Sequence, residues 1–126
     1  MHWATEYIGT PWVSGVSDCW HFARRVWREQ FGIVVPVVNV DAASALAGRK
    51  AFRDQSRHGW HEVQTPMEGD AVLMTMAQTP CHVGIWLDPE GGGVLHSVEG
   101  IGAIFTPDAR LAGMGYHVCS YHRRLT

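Results

Sequence analysis

From Cys19 onward, apolar residues recur at Phe22, Ala23, Val26 and Trp27, while Arg24, Arg25, Arg28 and Glu29 fall off that stripe. Spacings of three and four residues mark a helix with one buried face, so this stretch must lie against another apolar surface. Ahead of it, Val13-Ser14-Gly15-Val16-Ser17 reads as a loop and Asp18 as the N-cap. Cys19 then takes the first helical position, where the leading backbone N–H groups and the positive end of the dipole favour thiolate over thiol. An ordinary thiol, with a pKa of ~8.5, is mostly protonated at neutral pH, so a reactive cysteine here also wants a base or an imidazolium beside it. Cys19 equally continues the buried stripe, and a small core cysteine is the competing reading.

Two histidines downstream could supply that base. Cys81-His82-Val83-Gly84-Ile85-Trp86-Leu87 is a strand-like run that puts His82, Gly84 and Trp86 on one face and Val83, Ile85 and Leu87 on the other. Asp88-Pro89-Glu90-Gly91-Gly92-Gly93 reads as a hairpin turn, and Val94-Leu95-His96-Ser97-Val98 as the returning strand. Antiparallel pairing across the turn brings His96 near His82, where a second imidazole can fix the tautomer and orientation of the first. The chain holds eight histidines, and it is the joint placement of these two that separates them from the rest.

The other segments complete an α+β order of elements. A short helix is expected within residues 1–9, with Trp3, Tyr7 and Ile8 on one side, and a further helix over Ala42–Ala47, capped by Asp41 and ended by Gly48. Arg53, Asp54, Arg57 and His58 read as a solvated face. Trp60–Val63 reads as a short strand, Thr65–Gly69 as a turn, and Asp70–Met76 as a strand with Val72 and Met74 facing alike. Thr106-Pro107-Asp108 is expected to open a brief helix with proline at its first position, and Tyr116–Arg123 to form a final strand.

At 126 residues and 46% hydrophobic content, with no Ser/Pro-rich linker, residues 1–126 are expected to form one domain with one core. A net charge of −2 gives no broad basic field, which argues against a nucleic-acid partner. Three cysteines, Cys19, Cys81 and Cys119, lack framework spacing and read as thiols of a reducing compartment. The start, Met1-His2-Trp3-Ala4-Thr5-Glu6, lacks the basic and apolar regions of a secretory peptide. No apolar stretch approaches the length of a membrane span, so cytoplasmic synthesis without membrane insertion is expected.

Five short motifs occur in order: Pro11-Trp12-Val13-Ser14-Gly15, Asp18-Cys19-Trp20, Gly69-Asp70-Ala71-Val72, His82-Val83-Gly84-Ile85 and Leu95-His96-Ser97. Together, from about Tyr7 to Ser97, they resemble the NlpC-type cell-wall peptidases. The resemblance implies a papain-like α+β fold, in which N-terminal helices, one of them headed by the nucleophile, pack on an antiparallel sheet. It implies Cys19 as nucleophile, His82 as general base and His96 as the orienting residue, with no cofactor. It further implies peptidoglycan stem peptides as substrate, often cut between D-glutamate and a diamino acid through the γ-linkage. The Asp-Cys-Trp form and small size look most like relatives in phage tail gene clusters, which would make other tail proteins partners and a tail particle, a secretion machine or lysis the route to the wall. The chain departs from the family at two places. Trp12 stands where the family usually has tyrosine, and its indole N–H can donate a hydrogen bond but not accept one. Trp20-His21 replaces the Ser-Gly of many relatives and adds bulk. Trp12 and Trp20 are therefore expected at the oxyanion side and the cleft, with the Cys19 backbone N–H as one oxyanion donor.

Other chemistries use some of the same residues. Cys81-His82, His96 and Cys119-Ser120-Tyr121-His122 contain zinc-ligand types, but the chain has no close cysteine pair of the kind structural zinc uses, so no metal is expected. A docking module of a tail-like assembly could keep the fold without catalysis, and an acyltransferase could use the same thiol with another acceptor.

Overall fold

The computed structural model describes residues 2–35, 59–76 and 79–124. The expected Asp41-capped helix and the charged residues from Arg53 to His58 lie outside these, as does the side chain of Cys81.

The amphipathic stripe is helix α1, Cys19–Phe31, and its buried residues are Phe22, Ala23, Val26 and Trp27. Asp18 caps it in extended conformation, its Oδ1 accepting the His21 backbone N–H at 2.9 Å. The other carboxylate oxygen accepts the Gly15 N–H at 2.8 Å, so one side chain starts the helix and closes the turn before it. Gly32 ends the helix at φ 65°, a left-handed conformation that glycine adopts without a Cβ penalty. Before α1, the expected N-terminal helix shrinks to a four-residue 3-10 turn, Trp3–Glu6, whose first N–H groups include one held by the His2 ring.

Among the described residues six strands follow: β1 Trp60–Val63, β2 Ala71–Met76, β3 Thr79–Leu87, β4 Gly93–Val98, β5 Gly102–Pro107 and β6 His117–Arg124. They form one antiparallel sheet in the order β1-β6-β2-β3-β4-β5. Side-chain alternation gives the sheet two apolar faces. Helix α1 lies over β3 and β4, and its stripe packs with Ala71, Leu73, Val83, Ile85, Leu95 and Ala103. Val72, Met74, Trp86 and Val94 form the second cluster, covered by Leu111 and Tyr116. The alternation expected for Val72 with Met74, and for Val83 with Ile85, is the one found.

The cover of that second face comes from helix α2, Asp108–Leu111, and the 3-10 turn Ala112–Met114 that continues it. Proline sits one position earlier than expected. Pro107 belongs to β5, pairing with Gly93, and precedes the helix as its N-cap instead of occupying its first turn. With φ fixed near −65°, proline fits both a strand's last residue and a helix entry, and here the ladder to β4 decides. At the far edge, β5 is covered by the N-terminal segment: Gly9 N–H donates to Ala103 O and Ala103 N–H to Thr10 O, both at 2.9 Å. This protects the edge and delivers Pro11 and Trp12 toward the start of α1.

Candidate active site

Cys19 is the first residue of α1 and is half-buried. Burial pushes the Asp18 carboxyl up, but the N–H groups of His21 and Gly15 and the His21 ring outweigh it and hold the group below the usual carboxylate range. The His21 Nδ1 lies 2.8 Å from Asp18 Oδ1. An ionised cap therefore sits directly before the thiol, with its charge spent on the helix start and the preceding turn.

His82 on β3 and His96 on β4 are both buried, and His82 Nε2 lies 2.7 Å from His96 Nδ1. Sequence reasoning brought these two rings together, and the register explains how they meet. With Ile85 opposite Leu95 and Trp86 opposite Val94, His96 falls beside Gly84, one same-face position from His82. A Cβ on Gly84 would stand 2.2 Å from Val94 Cγ1 and 3.1 Å from His96 Cβ. The missing side chain leaves His96 room to lean along the sheet and reach His82.

The His96 ring is held at its other nitrogen as well: Nε2 lies 2.8 Å from Thr106 Oγ1, across the β4–β5 pair. Thr106 in turn donates to Met114 Sδ at 3.7 Å. Tyr116 closes over the two rings, stacked on His82 at 5.0 Å between centroids and edge-on to His96 at 5.3 Å. Its backbone N–H bonds to Leu111 O, so the turn after α2 sets its place. Burial, and then the negative charge of Cys19, push the Tyr116 phenol above its ordinary range. Tyr116 is thus the residue that lies against His82 and within electrostatic reach of Cys19.

Burial alone pushes His82 down to about 4. Burial, and then the charge of His82, push His96 down to about 3. Both rings are neutral at neutral pH, and each nitrogen must be either donor or acceptor. A neutral His82 keeps a lone pair able to take a proton.

One further bond ties the halves of the site together. The fully buried Ser97 donates from Oγ to the Ser17 carbonyl at 2.8 Å. Ser97 follows His96 in β4, and alternation turns the two to opposite faces. The same strand that carries His96 therefore anchors the turn leading into Cys19. Trp20 is half-buried against the apolar cluster beneath α1, and Trp12 is half-buried ahead of the Val13–Val16 turn.

Sequence reasoning missed Ser97, Thr106 and Tyr116 as parts of this constellation. Ser97 stood within the quoted Leu95-His96-Ser97 motif but had no role without knowledge of Ser17's position. Thr106 and Tyr116 lie far from the motifs, and only the β4–β5 register and the turn after α2 bring them to the histidines. Among the described residues no group of three His, Cys, Asp or Glu side chains is arranged to hold a metal. Nor is any described helix long and apolar enough to cross a membrane.

A helix headed by cysteine and packed on a six-stranded antiparallel sheet makes this an α+β protein of papain-like organisation. The NlpC/P60 family model matches residues 7–122, nearly the whole chain, and the protein belongs to that family. Members of the family are in general cysteine peptidases and amidases acting on peptides of the bacterial cell wall. No curated protein matches the chain.

Proposed function

We propose that this protein is a cysteine peptidase that hydrolyses peptidoglycan stem peptides, with Cys19 as nucleophile, His82 as general base and acid, and His96 as the residue that orients His82, all within one domain spanning residues 1–126. The observation that carries the reading is the buried 2.7 Å contact between His82 Nε2 and His96 Nδ1, against which the Tyr116 ring packs. A neutral His82 accepts the Cys19 proton as sulfur attacks the amide carbonyl carbon. The oxyanion that forms is met by the Cys19 backbone N–H at the positive end of α1, with Trp12 on the oxyanion side and Trp20 bordering the cleft. Imidazolium then protonates the leaving amine, and the C–N bond breaks to give a thioester. Water, losing a proton to the same ring, hydrolyses the thioester and restores the thiol.

The finer assignment is cleavage between D-glutamate and the diamino acid through the γ-linkage, in a phage-tail or prophage setting that delivers the protein to the wall. The order and form of the five motifs support it, Asp18-Cys19-Trp20 above all. Mass spectrometry of defined stem peptides after incubation with the protein tests it. The expected products are a fragment ending in D-glutamate and one beginning with the diamino acid. Cleavage confined to another bond would overturn the γ-D-glutamyl assignment.

A further inference from the structure

The relay behind His82 has a direction, and the direction decides which nitrogen of His82 can serve as a base. Two neutral imidazoles joined by one hydrogen bond can share it in either sense. His82 Nε2–H can donate to His96 Nδ1, which leaves the His82 lone pair on Nδ1. Alternatively His96 Nδ1–H can donate to His82 Nε2, which puts the His82 proton on Nδ1 and spends its lone pair inside the relay. Only the first arrangement leaves a basic nitrogen facing out of the pair.

The far end of the chain selects between them. Thr106 Oγ1 stands between His96 Nε2 at 2.8 Å and Met114 Sδ at 3.7 Å. A thioether accepts but has no proton to donate. When the Thr106 hydroxyl proton is directed at Met114, the oxygen has only lone pairs left for His96, so His96 carries its proton on Nε2 and accepts on Nδ1. His82 must then donate from Nε2. Thr106 is 2% exposed, and His96 is fully buried, which keeps water from reversing the order.

We propose that Thr106 is a positioning residue that holds both histidines in the Nε2–H tautomer and so leaves the lone pair of His82 on Nδ1, the nitrogen outside the relay. This rests on the peptidase reading for its catalytic consequence, though not for the tautomers themselves. None of the five sequence motifs includes Thr106, and its effect passes entirely through His96.

Thr106→Val keeps the shape of the side chain and removes the hydroxyl, while Thr106→Ser keeps the hydroxyl. The experiment combines 15N-resolved NMR of the imidazole nitrogens with stem-peptide kinetics for the three proteins. In the wild type and in Thr106→Ser both rings are expected as Nε2–H tautomers. In Thr106→Val, His96 is expected to populate Nδ1–H. The Val variant should lose about tenfold or more in kcat with KM little changed, and the Ser variant should stay within about threefold of wild type, the scale of residues that orient a catalytic histidine. A wild-type His82 protonated at Nδ1, or a Val variant with unaltered tautomers, would overturn the proposal. An inactive wild type with both rings as Nε2–H would support the relay while removing the peptidase reading, so the two failures are separable.

Discussion

Ser97 shows how much one hydroxyl can decide. Its bond to the Ser17 carbonyl fixes the turn that ends in Asp18 and Cys19 to the strand that bears His96. Removing it leaves a carbonyl without that donor and loosens Cys19 relative to the histidine pair. Ser97→Ala should lower stability by about 1 kcal/mol, the net worth of an intramolecular hydrogen bond, measurable as a shift in the urea midpoint. It should also lower kcat. Unchanged stability and rate together would mean that the turn is held without it. The pairing of His82 with His96 was legible in the sequence, because period-2 alternation and a glycine-rich turn between two runs are local signals. The support of that pair was not legible. Thr106 was read as the start of a helix and Tyr116 as the start of a strand, and nothing in their neighbours' identity says that a β4–β5 register and a turn after α2 will bring both to one imidazole pair.

At the level of elements, signals contained within one segment were read most fully. Asp18 and the apolar stripe define the start and the buried face of α1 from its own residues, and β1, β2, β3, β4 and β6 fall close to their expected positions. Strand β5 was the one missed, and its residues explain why. Gly102-Ala103-Ile104-Phe105-Thr106-Pro107 begins with glycine and ends with proline, both of which weaken a strand reading. Tertiary pairing overrides that: β5 has β4 on one side, and Gly9 and Thr10 on the other. The order β1-β6-β2-β3-β4-β5 also escaped, since bringing the last strand between the first two is set by how faces are buried and not by any adjacent turn. What the fold gains is a strand, β4, held on both sides, and that is the strand carrying His96 and Ser97.

For the whole molecule, the buried histidine pair makes stability depend on acidity. In the unfolded chain both rings titrate near the ordinary value of 6.5, whereas in the folded protein burial lowers His82 to about 4 and His96 to about 3. Between pH 6.5 and about 4 the unfolded chain therefore binds protons that the folded chain does not, and stability must fall as the pH is lowered through that window. Two such groups set an upper slope of about 2–3 kcal/mol per pH unit. Urea unfolding at pH 7, 6 and 5 should show the midpoint moving down with pH, and a midpoint constant from 7 to 5 would contradict the burial of neutral rings. The same burial keeps His82 unprotonated at neutral pH, where a surface histidine would be partly charged.

The measurement that bears most directly on the account is the rate of stem-peptide hydrolysis by the wild type and by Cys19→Ala, made alongside far-ultraviolet circular dichroism and thermal melting of both. The account predicts hydrolysis by the wild type and none by the variant, with the two proteins equally folded. Hydrolysis by folded Cys19→Ala at the wild-type rate would contradict it, because the helix-end thiol would then have no part in the chemistry.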